Sequence, residues 1–401
     1  MKLSFCMIVK DEEVRLSRCL ASVRDVVDEL IVLDTGSSDH TVEIAQSFGA
    51  QVHHFAWCND FSAARNEALK YVTGDWILVL DADEVLVPGI VPILRKIIQD
   101  DRYLVINLVR EEIGAMQSPY SLVSRLFRRH PDVWFTRPYH AMIDDRVTEL
   151  LQREPHWQVG IIPEVAILHE GYQADLIAGR DKLNKACKTM EDFLASHPTD
   201  PYVCSKLGAL YIQMGEIQKG LKLLETGLCS LENSTTQDTL TKYELHYHLG
   251  SVYSDLNQFD KAKHHYQLAI QQPILSKLKL GAINNLGNLV KEQGDLQTAR
   301  SLYQQTLEID PLFAIGHYNL GATLKAMGHL TAAIEHYQTA IALNPNYAEA
   351  YQNLGVVLLK IGQIPDSLAA FQHAIALHEQ NHSPEADRLK QGLREMGLWN
   401  P

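Results

Sequence analysis

Leu-Gly pairs at 286/287, 320/321 and 354/355 recur at a step of 34 residues, and that period decides what the second half of this chain can fold into. Gly294, Gly328 and Gly362 keep the step, as do Tyr303, Tyr337 and Phe371, and Pro311 and Pro345 stand one period apart. A repeat of this length is one helix–turn–helix unit. The small residues belong where paired helices cross closely, and the aromatic fills the space between them. Leu249-Gly250 and Leu207-Gly208 open earlier copies, the first degenerate, with Gly220, Leu224 and Gly227 at the usual Ala, aromatic and Ala positions. No unit completes its core alone, so the pattern predicts a stack of roughly five copies over 200–383, closed by a capping helix in 384–401. Ser230–Thr241, rich in Ser, Thr, Asn and Asp, reads as a longer loop between the first two copies.

The first half has a different rhythm. Leu3–Val9, Leu30–Leu33 and Trp76–Leu80 are short apolar runs of the kind buried on both faces of a sheet, and Gln51–Phe55 reads as a third strand in order. Between them Leu16, Cys19, Leu20 and Val23 repeat at helical spacing, as do Val42, Ile44, Ala45 and Phe48, then Phe61, Ala64, Ala68 and Leu69. Strand and helix in alternation predict a mostly parallel α/β sheet with right-handed crossovers. Beyond residue 103 the pattern shortens, with Tyr103–Val109, Val133–Phe135 and Val165–Leu168 as expected strands. The division expected is a sheet domain over 1–175, a connecting helix or linker over 176–199, and the repeats thereafter.

The fourth strand ends in Asp81-Ala82-Asp83-Glu84. Ligands of open α/β sheets bind at the carboxyl edge of the strands, where uncompensated carboxylates are costly. Oxygen ligands two residues apart suit a hard divalent cation, Mg²⁺ or Mn²⁺, which in turn holds a diphosphate. The competing reading is a solvated acidic turn. A formal charge of −13 and a pI near 5.7 exclude a protein that binds nucleic acid through a broad basic surface. Six cysteines without a CxxC pair suit a reducing, cytoplasmic setting, and no stretch approaches a membrane span. Peripheral attachment at the inner membrane face through a partner stays open.

Four segments in order, Ile8–Glu13, Ile31–Thr41, Phe61–Asn66 and Asp81–Asp83, resemble a family 2 glycosyltransferase of the GT-A fold, which uses a nucleotide-diphosphate sugar. Joined to His169-Glu170-Gly171-Tyr172 and a repeat of tetratricopeptide period, the chain is similar to bacterial repeat-bearing glycosyltransferases. The resemblance implies a UDP-linked donor, a divalent metal, inversion at the anomeric carbon, and a protein or glycan acceptor. It places Val9, Glu12, Asp34, Arg65, Asp81 and Asp83 around the nucleotide sugar: Asp34 on the imide of a uracil, Arg65 as a clamp, Asp81 on the ribose. Asp81, Asp83 and His169 are the implied metal set. Against these roles stand a helix-capping turn for Asp34, a surface ion pair to Glu67 or Asp60 for Arg65, and a structural histidine for His169.

A carboxylate base is implied for the acceptor. Related sequences place His-Glu where this chain has His140-Ala141, so His140 itself or Asp144, with Asp145 beside it, is the candidate base. Arg125, Arg128, Arg129 and Arg137 form a basic cluster that could assist the leaving group, bind the acceptor or be merely solvated. A rival of another class is a scaffold whose first domain binds a nucleotide sugar without turning it over. A nucleotidyltransferase is disfavoured, because residues 9–15 contain no glycine for a phosphate loop. The repeats could hold a peptide or form a homodimer, with His317, Asn319, Lys325, Asn353 and Lys360 as groove positions or ordinary solvated residues.

Overall fold

A computed structural model of the chain describes residues 1–170, 180–233 and 238–398. They form two compact units, Met1–Thr235 and Thr236–Pro401. Gly171 and Tyr172 of the motif that begins at His169, and the middle of the expected Ser230–Thr241 loop, lie outside the described residues.

The first unit begins with β1 (Leu3–Val9), α1 (Leu16–Val23), β2 (Glu29–Asp34), α2 (Thr41–Ser47), β3 (Gln51–His54), α3 (Phe61–Leu69) and β4 (Trp76–Val79). The four strands are parallel in the order β3-β2-β1-β4. Their apolar runs are covered on both faces: Phe5 and Leu78 share a core with Leu16 and Leu20 of α1, while Ile31 and Ile77 face Ala64 and Ala68 of α3.

The chain continues through β5 (Glu84–Leu86), α4 (Val91–Ile97), β6 (Tyr103–Glu112), β7 (Tyr120–Arg128), α5 (Asp144–Arg153) and β8 (Gln158–His169). These strands extend the sheet to β3-β2-β1-β4-β7-β6-β8-β5, with β7 antiparallel to both β4 and β6. Immediately after β4 the chain therefore crosses to the far edge, where Glu84 pairs with His169. That crossing carries the Asp81–Asp83 turn to the end of β8.

One expectation in this region needs correction. Val133–Phe135 is not a strand, because the Asn66 side chain receives the Phe135 N–H at 2.7 Å and donates to its carbonyl at 2.8 Å. The only pairing nearby is an isolated bridge, Thr136 to Met142, among the described residues. β5 and β7 have no counterpart in the sequence reading; β7 alternates too few apolar residues to announce itself. Asp144 and Asp145 open α5, where their charges favour the amino end of the helix.

One irregularity matters for the site. Ile106 pairs with Leu126 but Leu108 pairs with Val123, so Asn107 is opposed by two residues, Ser124 and Arg125. A bulge of this kind re-aims side chains. Ser124 Oγ reaches Asn107 at 2.9 Å, while Arg125 reaches Asp81.

Helices α6 (Arg180–Ser196), α7 (Pro201–Gln213) and α8 (Ile217–Glu232) complete the first unit. Asp200 caps α7 by accepting the Val203 N–H at 2.8 Å, and its second oxygen takes Arg137 at 2.9 Å. Arg137 also pairs with Asp145 at 3.0 Å, tying the first helix pair to α5.

The second unit is helical: α9 (Thr239–Asp255), α10 (Phe259–Gln271), α11 (Leu280–Glu292), α12 (Leu296–Ile309), α13 (Ala314–Ala326), α14 (Leu330–Leu343), α15 (Ala348–Lys360), α16 (Ile364–Gln380) and α17 (Glu385–Glu395). The Leu-Gly pairs lie where a first helix crosses its second. A Cβ added at Gly287 would stand 2.6 Å from Tyr303, whose ring is fully buried. Alanine at Gly287 gains up to about 1 kcal/mol of helix propensity, but overpacking costs about 1–3 kcal/mol. Crowding wins because the ring has nowhere to go. Gly287→Ala is expected to lower stability by about 1–2 kcal/mol in urea unfolding.

Two repeats carry a histidine pair at this interface. His246 and His265 bring their Nδ1 atoms to 3.0 Å, as do His317 and His336. Each contact needs one nitrogen protonated and one bare. Burial lowers His246 to about 4, and His265, Lys242 and His264 push the same way. A folded value below the unfolded 6.5 means the unfolded chain takes up the proton first. Stability is therefore complete above pH 6.5 and is lost as pH falls toward 4, by up to roughly 3 kcal/mol for this group. A melting temperature that falls less between pH 7 and 5 in His246→Gln than in the parent chain is the expected result, the remainder coming from the His317–His336 pair, where burial also lowers His336.

Candidate active site

The carboxyl ends of β1, β2 and β4 bring most of the sequence-singled residues together. Val9 and Asp34 are register partners at the ends of β1 and β2. The Val9 carbonyl accepts the Thr35 N–H at 2.9 Å and its hydroxyl at 3.0 Å. The loops after these strands are laced by side chains: Asp11 accepts the Ser38 N–H at 2.7 Å, and Asp39 accepts the N–H groups of Glu13 and Thr41 at 3.1 and 3.0 Å. Glu12, in this lacing, donates its own N–H to Thr41 at 2.8 Å and pairs with Arg15 at 3.2 Å.

Asp34 is nearly buried. Its oxygens accept the N–H groups of Gly36 and Ser37 at 3.1 and 3.0 Å, and His54 stands 3.3 Å away. Burial raises its carboxyl pKa, but these hydrogen bonds outweigh burial and hold the group ionised. Asp34 thus shapes the glycine turn; a carboxylate keeps further lone pairs for a ligand.

Asp81 is clamped. Arg65, 7% exposed on α3, donates to Oδ1 at 2.6 Å, and Arg125 from the bulge donates to Oδ2 at 2.7 Å. The Arg65 guanidinium also lies 5.3 Å from the Phe135 ring centre. Each arginine buries an Nη1 with no partner among the described residues. Burial opposes the Asp81 charge, yet the two guanidiniums keep its pKa well below the carboxylate range. Two guanidiniums thus face one carboxylate, and fully buried Glu84 is a further negative neighbour of both arginines.

Asp83 belongs to a second chain of contacts. The Asp81 N–H donates to Glu84 at 2.8 Å, and fully buried Glu84 takes Arg110 at 2.7 Å. Arg110 pairs with Glu112 at 2.8 Å, Glu112 meets His169 Nδ1 at 2.5 Å, and His169 Nε2 lies 3.4 Å from Asp83. Burial pulls His169 down, but hydrogen bonds to Asp83 and Glu112 raise it to about 9. Burial pushes Glu112 up, and the bonds from His169 and Arg110 bring it to about 2. Sequence reading missed Arg110 and Glu112. Their only signal is two opposite charges two apart on one strand face, which reads equally well as a solvated edge.

Asp144, first residue of α5, accepts the Ser124 hydroxyl at 2.7 Å. The bulge makes Ser124 the neighbour of Arg125 on the same side, so Asp144 is linked toward Asp81 through two adjacent residues. His140 is exposed with φ of 51°, and its ring packs on Tyr139 and Tyr202 at 4.6 and 6.4 Å. Of the basic cluster, Arg128 and Arg129 serve the backbone: Arg128 donates to the Tyr103 carbonyl at 2.7 Å and Arg129 to that of Gly74 at 2.9 Å.

The pattern described as Glycosyl transferase family 2 matches residues 4–160. Tetratricopeptide-repeat patterns match 243–272, 287–328, 323–362 and 348–385. A TPR repeat-containing protein of Synechococcus elongatus is 44% identical over 310 residues, which are 77% of this chain and 76% of that one. The chain is a family 2 glycosyltransferase with tetratricopeptide repeats. The glycosyltransferase is also 28% identical over 202 residues to the SPbeta prophage-derived glycosyltransferase SunS of Bacillus subtilis, covering 49% of this chain and 46% of that one. An uncharacterized glycosyltransferase of Rickettsia felis is 32% identical over 137 residues, covering 32% and 48%. Solved structures similar to the glycosyltransferase include MamA, with TM-score 0.37 and 21% identity over 44% of this chain and 96% of that one. YrrB, described as a TPR protein with an unusual peptide-binding site, gives 0.38 and 18% over 48% and 94%. Among the described residues no helix of the glycosyltransferase is long and apolar enough to cross a membrane.

Proposed function

We propose that this enzyme transfers a sugar, with inversion, from a UDP-linked donor to a protein or glycan acceptor in the cytoplasm, with the help of a divalent cation. The observation that carries the reading is the Asp83–His169 pair. A carboxylate and a ring nitrogen face each other at 3.4 Å, and Glu112 fixes the ring from behind. A ligating histidine held by a carboxylate on its other nitrogen is a recurrent metal-site arrangement, and here a cation would have to displace the proton that Asp83 and Glu112 hold on the ring. Among the described residues no three His, Cys, Asp or Glu side chains are arranged to hold one metal ion, so two protein ligands would leave the remaining positions to diphosphate oxygens and water. Asp81 is the least suited of the three expected ligands, since both its oxygens already hold arginines.

The other roles follow from charge and place. Asp34 and Glu12 line the uridine end beside the Val9 backbone, and Asp81 stands toward the ribose with Arg65 and Arg125 behind it. Their guanidiniums, each with an Nη1 not yet hydrogen-bonded among the described residues, favour a diphosphate that gains charge as the glycosidic bond breaks. The bound cation would act as a Lewis acid on that leaving group. Opposite it, Asp144 is the better placed base for the acceptor hydroxyl, through its link by Ser124 to the arginine side of the site; His140 is the second candidate. All six cysteines are free thiols, which suits the cytoplasm.

Thermal unfolding with Mn²⁺ and a panel of nucleotides tests the donor. UDP at 100 times its Kd should add about 2.7 kcal/mol of stability, and only when Mn²⁺ is present. A shift with another nucleotide but with no uridine compound would sink the donor assignment.

A further inference from the structure

One hydroxyl stands between two acceptors at the β7 bulge. Ser124 Oγ lies 2.9 Å from Asn107 Oδ1 on β6 and 2.7 Å from Asp144 Oδ1 at the start of α5, and all three residues are half-buried. A serine carries a single O–H proton, while an amide oxygen and an ionised carboxylate can only accept. Two contacts therefore share one proton for as long as Asp144 is ionised. A proton on Asp144 completes the chain: its O–H donates to Ser124, and Ser124 donates to Asn107. An unmade hydrogen bond away from water is costly, so the count favours the protonated acid. The bulge builds this arrangement, because it sets Ser124 and Arg125 together opposite Asn107.

We propose that Asn107 and Ser124 are positioning residues for the acceptor base, the Ser124 hydroxyl turning from Asp144 to Asn107 as Asp144 takes up a proton. The inference deepens the proposed reaction and rests on Asp144 being its base. In the transfer step the acceptor O–H bond breaks and its proton goes to Asp144. The electron pair left on the acceptor oxygen forms the bond to the anomeric carbon, and the pair of the old glycosidic bond departs with the diphosphate. Ser124 then gives its own O–H to Asn107 and accepts from Asp144. Hydrogen bonding to the neutral acid raises a carboxyl pKa, which brings a weak base nearer the pH at which it works.

Other charges at this junction have partners of their own. Asp145 pairs with Arg137 at 3.0 Å, Arg146 with Glu149 at 2.6 Å, and Arg125 with Asp81 at 2.7 Å, while His140 packs on Tyr139 and Tyr202. A neutral substitution at 107 leaves all of these groups in place. A change in the Asp144 titration then reports the hydrogen-bond chain itself.

The full chain, labelled with ¹³C at its aspartate carboxyl carbons, is titrated by nuclear magnetic resonance with no donor or acceptor present. The Asp144 signal is the one missing from Asp144→Asn. Asn107→Val, with Asn107→Ala beside it to exclude crowding, should make Asp144 about tenfold stronger as an acid. Ser124→Thr should keep the parent value, and in Ser124→Ala a substitution at 107 should change nothing further. An Asp144 titration that both variants at 107 leave unmoved overturns the proposal. So does one that they raise, since the amide then serves the ionised carboxylate and the chain is only a tether. The base reading is tested separately, by UDP release from a panel of UDP-sugars with Mn²⁺ across pH, where the acid limb should move with the titration in Asn107→Val. An Asp144→Asn variant that releases UDP as fast as the parent overturns the base reading, and with it the catalytic use of a hydroxyl chain that the titration can still confirm.

Discussion

Asp81→Asn is expected to cost the sheet domain about 2–4 kcal/mol, read as a lower urea midpoint with an unchanged slope. The reason lies in what the carboxylate holds rather than in any ligand. Arg65 and Arg125 approach its two oxygens at 2.6 and 2.7 Å from opposite elements, α3 and the β7 bulge. Removing one partner of a buried ion pair typically costs about 3–5 kcal/mol, because the survivor stays desolvated and unpaired. Here two survivors remain, but the carboxylate is 34% exposed, so water screens part of the loss and the lower figure applies. Asparagine adds a further conflict: its oxygen satisfies one guanidinium, while its NH₂ presents donors to the other. Combining it with Arg125→Met should recover part of the loss, because the two sites share one contact and their effects are not additive. A midpoint within 0.5 kcal/mol of the parent, roughly the size of an ordinary surface substitution, would sink this account.

What the sequence made legible here divides along a physical line. Elements built from contiguous apolar runs or fixed periods were readable. Leu3–Val9 and the α1 face of Leu16, Cys19, Leu20 and Val23 are buried as expected, and the 34-residue step places Gly287 against Tyr303. The Asp81–Asp83 turn could be located, since carboxylates ending a buried strand announce themselves. Its partners could not. Arg125 reaches Asp81 only because one extra residue bulges from β7, and an insertion of one leaves no trace in a sequence of mixed polarity. Glu84, the Arg110–Glu112 pair and His169 lie far apart in the chain and meet because β5 crosses to the far edge of the sheet. Charge pairing across such a distance is a property of topology. The same limit explains Val133–Phe135, where a helix side chain, Asn66, satisfies the Phe135 backbone groups that a neighbouring strand would otherwise take.

The second carboxylate of the turn should behave in the opposite way. Asp83→Asn is expected to lower unfolding stability by only about 1 kcal/mol, well short of Asp81→Asn, while lowering sugar transfer about a thousandfold, or ~4 kcal/mol of transition-state stabilisation. The stability loss is small because His169, which Asp83 helps keep protonated from 3.4 Å, retains its closer contact to Glu112 at 2.5 Å. On the proposed cation-assisted reaction, activity would be lost because a neutral amide is a poor ligand for a hard cation. A readout independent of turnover is Mn²⁺ binding followed by paramagnetic resonance in the presence of UDP, which the parent should show and the variant should not. If Asp83→Asn unfolds as readily as Asp81→Asn while still binding Mn²⁺, the assignment of the two carboxylates is reversed. The division expected from the contacts is that Asp81 holds the arginines in place and Asp83, backed by His169, Glu112, Arg110 and Glu84, presents the ligand. A strand end carrying three acidic groups then stays stable because each has a different neighbour to answer its charge.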